Sequence, residues 1–504
     1  MEKSADRVAI LPRADSSFAY DVLKLATGTG SSQVVGILAA PVIARLFSPE
    51  AFGDAAVFTS ITAVIGIVVC LRYELAIMLP EDDELAINVL ALSLIFVVAI
   101  TLLTALLALA GRDIIVRRLG AEDFNIYLRL APIAVLLGGI FLALRNWAIR
   151  KKKFGLLSAA QALTTTIGAL AQICFGFMGY TTGQALIIAG LIALAISNVA
   201  LVFGCWKNFY SVFANVRWQS IRYALMRFVR FPKYGTTAAV LNTLSWQSPA
   251  FFLAMFFSPA VVGEYSLGNR LLRVPMNLIG VNIASVFFQR ASEAKQEGTL
   301  AKSVAETFRY LVALTLFPCL LLTFIGKDLF LVVFGPKWTE AGVYSQILSV
   351  WVCFWFISSP LSMILGVLEE QALELKINVL VLGSRVLSLL AGGLIGSPRV
   401  ALGLFAATGV IVYGYYALVI LDRSGIPWGK MAKILLSNFA LFLPAGMVIA
   451  ALKYFDARPI VILVVSSLLL VLYYSNLLRT DPPARDVWKS LLRKATPAML
   501  GPRP

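Results

Sequence analysis

The chain has 504 residues, of which 59% are hydrophobic and only 14% are charged. Soluble domains carry about 25% charged residues, so this composition excludes a soluble globular protein. The sequence contains no histidine, which excludes a histidine-liganded metal site and a histidine-based catalytic relay. Apolar runs of about 20 to 28 residues alternate with short polar breaks, a pattern typical of membrane-spanning helices and unlike that of an outer-membrane barrel.

We therefore predict an all-α polytopic membrane protein with about fourteen transmembrane helices. The first six spans are expected at 18–46, 51–79, 84–110, 123–148, 154–179 and 182–206. The next six spans are expected at 233–257, 260–290, 304–334, 340–368, 371–396 and 400–421. The last two spans are expected at 430–452 and 459–478.

These spans form two six-helix lobes with flanking segments. The expected segments are a cytoplasmic N-terminal segment (1–17), an N-lobe (18–206), a cytoplasmic connector (207–232), a C-lobe (233–421), two further helices (422–478) and a basic cytoplasmic tail (479–504). In the connector, Trp218, Ile221, Leu225 and Phe228 recur at helical spacing. This pattern favours an amphipathic helix in the membrane interface, with its arginines toward anionic headgroups. A solvated linker is the alternative.

Lysine and arginine are concentrated in every second loop. The basic loops include 145–153 and 207–233, whereas the loops on the opposite side are short and hold few cations. By the positive-inside rule, both termini of this multi-pass protein are expected in the cytoplasm, and an even number of spans agrees. Membrane sidedness thus explains the net charge of +16, and we expect no nucleic-acid partner.

The tryptophans divide by their depth in the predicted spans. Those at span ends are Trp147, Trp206, Trp338 and Trp428. This position predicts anchors in the membrane interface. The deeper ones are Trp246, Trp351 and Trp355. We expect these three to pack in the core, with stacking on a sugar as the alternative.

A short pattern occurs twice in the chain. Ala44 begins A-R-L-F-S-P-E-A-F-G-D and Ala254 begins A-M-F-F-S-P-A-V-V-G-E. Both copies fall at the turn between the first two spans of a lobe, which supports an internal repeat. Because each lobe has an even number of spans, the repeats share their orientation and are related by a pseudo-two-fold axis along the membrane normal. Such parallel repeats predict a binding cavity between the lobes near the midplane.

Two arginines lie near the middle of the predicted eighth span. Arg270, Arg273 and Asn277 share one helix face because their spacing follows the helical period. Arg385 is expected at a similar depth on the eleventh span. Charge at this depth is costly and normally faces a polar cavity or a partner. Since guanidinium groups suit phosphate oxygens, we predict that these residues bind an anionic cargo; an internal ion pair, for example with Glu264, is the alternative.

Further charged residues lie closer to the membrane interfaces. Lys24 on the first span and Arg72 on the second are additional cavity candidates, although snorkelling or local pairing explains them equally well. Glu74 and Glu264 are candidate sites for ion coupling if burial allows them to carry a proton. The chain has no G-x-x-x-x-G-K-[ST] phosphate loop, which argues against a built-in ATPase. We expect neither a cofactor nor a bound metal.

Several stretches of the chain resemble one family of membrane proteins. These stretches are R-L-F-S-P-E-A-F-G from Arg45, L-R-Y-E-L-A-I-M-L-P from Leu71, Y-S-L-G-N-R-L-L-R-V-P from Tyr265, F-G-P-K-W-T-E-A-G from Phe334 and S-S-P-L-S from Ser358. Together they look similar to polysaccharide-type lipid-linked oligosaccharide flippases of the multidrug/oligosaccharidyl-lipid/polysaccharide exporter superfamily. The resemblance spans essentially the whole chain and rests on the order and spacing of the motifs.

The resemblance implies a MATE-like fold of two six-helix lobes that form a V around a cationic cavity. It implies a cargo of undecaprenyl-pyrophosphate-linked oligosaccharide repeat units for O-antigen, capsule or exopolysaccharide biosynthesis. The cargo would move from the cytoplasmic to the periplasmic leaflet of the cell inner membrane by alternating access, without ATP hydrolysis. A polysaccharide polymerase and a chain-length regulator are then candidate partners, besides the lipid bilayer.

Two other functions compete with this one. An ion-coupled small-molecule or drug antiporter of the same superfamily would favour an acidic cavity for organic cations, whereas the deepest charges here are basic. A membrane glycan polymerase or glycosyltransferase would need catalytic acids on a sizeable outer loop, and the outer loops here are short. We therefore expect a transporter and no enzymatic activity.

Overall fold

The computed structural model describes residues 32–119, 124–213 and 215–480. All regular structure within these ranges is helical. The expected N-terminal segment, most of the basic tail and Lys24 lie outside the described residues.

The helices occur along the chain in the same order as the predicted spans. The first half contains α1 (Ser32–Leu46), α2 (Pro49–Val68), α3 (Tyr73–Ala76), α4 (Asp83–Leu119), α5 (Phe124–Arg150), α6 (Phe154–Phe177) and α7 (Gly183–Phe213). The connector contains α8 (Trp218–Arg227) and a π-helical turn (Phe231–Thr236). The second half contains α9 (Thr237–Phe256), α10 (Pro259–Pro275), a π-helical turn (Met276–Gly280), α11 (Val281–Gln296), α12 (Leu300–Val333), a 3-10 turn (Pro336–Trp338), α13 (Thr339–Leu361), α14 (Met363–Val367), α15 (Gln371–Ile395) and α16 (Pro398–Arg423). The chain continues with α17 (Trp428–Tyr454) and α18 (Pro459–Thr480).

Within the described residues, 11 helical segments are long and apolar enough to cross a membrane, and the shorter apolar helix α1 accompanies them. The predicted all-α polytopic class is thus confirmed. The number of fourteen spans stays a prediction, because α9 and α10 do not belong to the 11 and only part of the first span is described.

The second and the eighth predicted spans are each interrupted. The second span was expected to reach residue 79, but α2 ends at Val68 and the backbone of Leu71 and Arg72 turns left-handed, with φ angles of 46° and 65°. The eighth span was expected to be one long helix. Instead α10 ends at Pro275, which lacks the backbone N–H that a continuing α-helix needs, and a π-helical turn follows.

The helices build two large hydrophobic cores, one in each half of the chain. One core, around Tyr73, Leu90 and Trp147, joins α3, α4 and α5 with parts of α7 and α8. The other core, around Trp351 and Phe405, joins helices from α9 to α16. The last two helices, α17 and α18, pack on α12 through a separate apolar cluster.

The two copies of the sequence repeat pack directly against each other. A Cβ atom added at Gly53 would overlap the backbone of Pro259, and one added at Gly263 would overlap the backbone of Pro49. Each repeat thus supplies the glycine that admits the other repeat's proline turn. Close approach through small residues stabilises helix pairs in membranes, where lipid offers no hydrophobic driving force between helices. We call the side of the molecule that holds the Ser48 and Ser258 turns the turn side.

The repeat also extends to the acidic residue that ends each copy. Asp54 of α2 accepts a hydrogen bond from the Tyr127 hydroxyl of α5 at 2.9 Å. Glu264 of α10 faces the Tyr344 hydroxyl of α13. Both tyrosines belong to the fourth predicted span of their lobe, so the acid and its partner occupy matching places in the two halves. This correspondence supports the parallel repeat.

Two of the four expected interfacial tryptophans are instead buried. Trp147 and Trp338 are both 0% exposed, whereas Trp206 and Trp428 are exposed. Span-end position alone therefore does not separate lipid anchors from core tryptophans.

The connector contains a helix, as its hydrophobic spacing predicted. Ile221 of this helix, α8, packs on the core of the first half.

We predict that Gly53→Ala and Gly263→Ala each destabilise the protein by about 1–3 kcal/mol, because the added methyl group meets backbone atoms that cannot move independently. Gly66→Ala on the same helix as Gly53 is the matched control, since nothing lies within 4 Å of its added Cβ. Thermal unfolding in detergent measures the effect. A lower midpoint is expected for the first two variants only, and equal midpoints for Gly53→Ala and Gly66→Ala would contradict the packing.

Candidate anion-binding cleft between the two halves

Arg270 reaches from the second half of the chain to the first. A Cβ atom added at Gly36 of α1 would lie 3.4 Å from Nη2 of Arg270 and 3.6 Å from the Thr165 side chain of α6. Arg270 is nevertheless exposed, and we call the accessible space beside it, between α10 of the second half and α1 of the first, the cleft. Among the described residues, it forms no hydrogen bond or salt bridge, so its charge is available to a ligand.

Arg273 lies one turn along α10 and is half-buried. Its guanidinium carbon is 4.8 Å from the ring centre of Trp246 and 5.9 Å from that of Trp355, so cation–π contacts hold it. Asn277 is exposed. The predicted polar stripe of Arg270, Arg273 and Asn277 is therefore at least partly accessible along its whole length.

Arg385 does not share this surface, contrary to the expectation from its depth. It is only 4% exposed. Nη1 donates to the carbonyl oxygen and to Oγ of Ser245 at 3.1 and 3.0 Å, and Nη2 donates to the Tyr413 hydroxyl at 2.9 Å. The guanidinium stacks on Trp246 at 4.3 Å. Helical rise gives the depth of a residue but not the neighbour toward which its side chain turns, which is why the sequence placed Arg385 in the cavity.

The alternative of an internal ion pair with Glu264 finds no support. Among the described residues, Glu264 does not pair with Arg270, Arg273 or Arg385. It lies instead at the turn side, where Glu50 and Glu340 are its charged neighbours.

Arg72 and Glu74 form a local pair away from this stripe. Their side chains approach to 3.7 Å, and Glu74 is 1% exposed while Arg72 is 27% exposed. Both carboxylate oxygens of Glu74 lack a hydrogen-bond donor among the described residues. Arg72 lies beside Gly235 in the π-helical turn that precedes α9. Arg72 is thus paired locally, which was the alternative to a place in the cavity. An ion-coupling role of Glu74 or Glu264 stays a prediction. Lys24 lies outside the described residues.

The turn side of the cleft is closed by contacts between the halves. The Trp338 indole N–H donates to the Ala44 carbonyl at 2.6 Å, and its ring meets Phe52 edge-on at 4.8 Å. Arg45 donates to the carbonyls of Val332 and Val333 at 3.0 and 3.3 Å. Together with the reciprocal glycine contacts, these bonds join the two halves on the turn side. Sequence reasoning missed Trp338 here because it treated the residue as a lipid anchor.

Comparison with known proteins places the chain in a family. The model of the polysaccharide biosynthesis protein family matches residues 42–343, more than half of the chain. The chain belongs to this family. It is 23% identical over 321 residues to the succinoglycan biosynthesis transport protein ExoT of Rhizobium meliloti (strain 1021). That alignment covers 62% of this chain and 61% of the relative, so the match spans less than two thirds of the relative's length.

Solved structures show the fold. The lipid II flippase MurJ in an inward closed conformation is similar with a TM-score of 0.68 at 14% identity, over 90% of this chain and 98% of that one. A multidrug resistance MATE family transporter in an inward-facing conformation is similar with a TM-score of 0.57 at 14% identity, over 79% and 99% of the two chains. Family membership thus confirms the resemblance to polysaccharide-type proteins, and the solved structures confirm the expected MATE-like fold. The chain is a multi-pass membrane protein.

We predict that thiols placed at the two arginine positions differ in access. In a Cys174→Ala background, which removes the one exposed cysteine, an Arg270→Cys variant should react with a charged, water-soluble thiol reagent at least about tenfold faster than an Arg385→Cys variant. The reason is that Arg270 is exposed and Arg385 is buried. Mass spectrometry of purified protein measures the rates, and comparable rates would contradict the described cleft.

Proposed function

We propose that the protein is a flippase for undecaprenyl-pyrophosphate-linked oligosaccharide repeat units, which it moves from the cytoplasmic to the periplasmic leaflet of the inner membrane. Family membership supports a role in polysaccharide biosynthesis. The name of the succinoglycan relative supports transport, and a lipid II flippase shares the fold. The repeat units would serve O-antigen, capsule or exopolysaccharide synthesis.

The observation that carries the proposal is the exposed and unneutralised guanidinium of Arg270 in the cleft between the halves. Keeping a cation inside a membrane protein costs free energy, and a compensating anion is the simplest reason to retain it. Arg273, one turn away, supplies a second cation. A pyrophosphate group offers oxygens to both guanidiniums, and a hydrogen bond to a charged group contributes about 1.5–3 kcal/mol.

The closed turn side supports an alternating-access mechanism. With both termini in the cytoplasm, the turn side would face the periplasm, and the pyrophosphate would enter the cleft from the cytoplasmic side. The polyprenyl tail would remain in lipid between the two halves. Release would require the halves to separate where Gly53 and Gly263 hold them together. A polysaccharide polymerase and a chain-length regulator are proposed partners, because the flipped repeat unit must be polymerised on the other side.

We predict that Arg270→Gln and Arg273→Gln each lower translocation of a fluorescent undecaprenyl-pyrophosphate oligosaccharide by about tenfold or more in reconstituted vesicles. Each variant loses a charged hydrogen-bond donor to phosphate, and about 1.4 kcal/mol corresponds to a factor of ten. Arg222→Gln is the matched control, because it removes the same charge from an exposed position on α8.

Dithionite quenching of the label in the outer leaflet measures the rate, and protein recovery after reconstitution normalises it. Wild-type rates in the Arg270→Gln/Arg273→Gln double variant would exclude this anion site. A drug antiporter, in contrast, would show no translocation of the lipid by the wild-type protein.

A further inference from the structure

Trp246 contacts two arginines at once. The guanidinium carbons of Arg273 and Arg385 lie 4.8 and 4.3 Å from the centre of its indole ring. The two cations differ in exposure, because Arg273 is half-buried whereas Arg385 is 4% exposed. The indole therefore lies at the boundary between the cleft and the core of the second half.

Arg385 has a local structural reason to be at this place. Pro249 lies within α9 and has no N–H, so the carbonyl of Ser245, four residues earlier, lacks its helical donor. Two other groups donate to this carbonyl, the Ser248 hydroxyl at 2.8 Å and Nη1 of Arg385 at 3.1 Å. Arg385 thus supplies a hydrogen bond in place of the one that Pro249 removes. The carbonyl that accepts it belongs to Ser245, which directly precedes Trp246 in the chain.

The position of Arg385 is itself fixed from the other side. The hydroxyl of Tyr413 on α16 accepts a hydrogen bond from Nη2 at 2.9 Å. The guanidinium also lies 5.9 Å from the ring centres of Trp351 and Phe405. Among the described residues, no carboxylate pairs with Arg385. A buried guanidinium with this many contacts has little freedom to move, so it holds both the backbone and the ring at Trp246.

Arg273 depends on the same ring for its own position. Its guanidinium stacks on Trp246 and, at 5.9 Å, on Trp355, which meets Trp246 edge-on at 5.2 Å. Among the described residues, Arg273 has no salt-bridge partner. Cation–π contacts of about 0.5–2 kcal/mol are therefore the main interactions that orient it toward the cleft.

We propose that Arg385 is a positioning residue for anion binding, which acts through Trp246 to hold Arg273 in the cleft without touching the pyrophosphate itself. This inference rests on the proposed function. It assigns the three predicted arginines to two roles: Arg270 and Arg273 contact the anion, and Arg385 orders the second of them.

A double-mutant cycle tests the proposal, with undecaprenyl pyrophosphate in detergent as the probe and its dissociation constant as the readout. Arg273→Gln should weaken binding about tenfold, and Arg385→Gln about three- to fivefold. The Arg273→Gln/Arg385→Gln double variant should bind no more weakly than Arg273→Gln alone, because Arg385 acts only through Arg273. A purely structural role would lower the melting temperature but would not make the effect of Arg385→Gln disappear in the Arg273→Gln background.

Tyr413→Phe provides a second variant in case Arg385→Gln does not fold. It removes one anchor of Arg385 and leaves the charge in place. We expect a smaller loss of affinity, about twofold, that also vanishes in the Arg273→Gln background. The positioning role would be overturned if the losses of affinity multiply in either double-mutant cycle. It would also be overturned if Arg385→Gln and Tyr413→Phe both bind the probe as tightly as the wild-type protein.

Arg270→Gln separates this inference from the proposed function. If Arg270→Gln and Arg273→Gln both bind the probe as tightly as the wild-type protein, the anion site itself is wrong. If both weaken binding but the cycles are multiplicative, the anion site stands and only the role of Arg385 is refuted.

Discussion

The two halves of the molecule are joined by a reciprocal contact between backbones. Gly53 lies against the Pro259 turn and Gly263 against the Pro49 turn, so that α2 and α10 approach more closely than side chains would allow. Around this contact, Trp338 and Arg45 add hydrogen bonds from one half to the other. In this conformation, therefore, the halves are held together on the turn side. Arg270 lies further along α10, where its side chain is exposed between the halves.

The positive charge of the second half is arranged in two layers. Arg270 and Arg273 are accessible, whereas Arg385 lies behind Trp246 and satisfies neutral acceptors. Within the described residues, none of the three is neutralised by a carboxylate. Charges kept in a membrane protein without counter-ions support the proposed anionic ligand. The aromatic rings separate the layers, and they allow cations to lie near one another with part of their charge balanced by π-electrons.

Much of the fold could be predicted from the sequence, because run length and prolines act locally. The helices begin at Pro49, Pro259 and Pro398, where proline follows a serine that starts the helix. That Arg270 lies on the helix after the second proline turn followed from its place in the sequence. The place of Arg385 did not, because it depends on Pro249 of a distant helix and on Tyr413 of another. The left-handed turn at Leu71 and Arg72 could not be predicted, because neither glycine nor asparagine occupies these positions. The break after α10 could have been predicted from Pro275.

The reciprocal glycine contact also limits how the two halves can be recombined. Each half carries the space that the other half's turn occupies, so neither interface is complete within one half. A chimera that takes its first half from a relative would retain this contact only if the donor also has a small residue opposite Pro259 and a matching turn opposite Gly263. The two halves thus share a short pattern in sequence, and the contact between the two copies constrains both of them together.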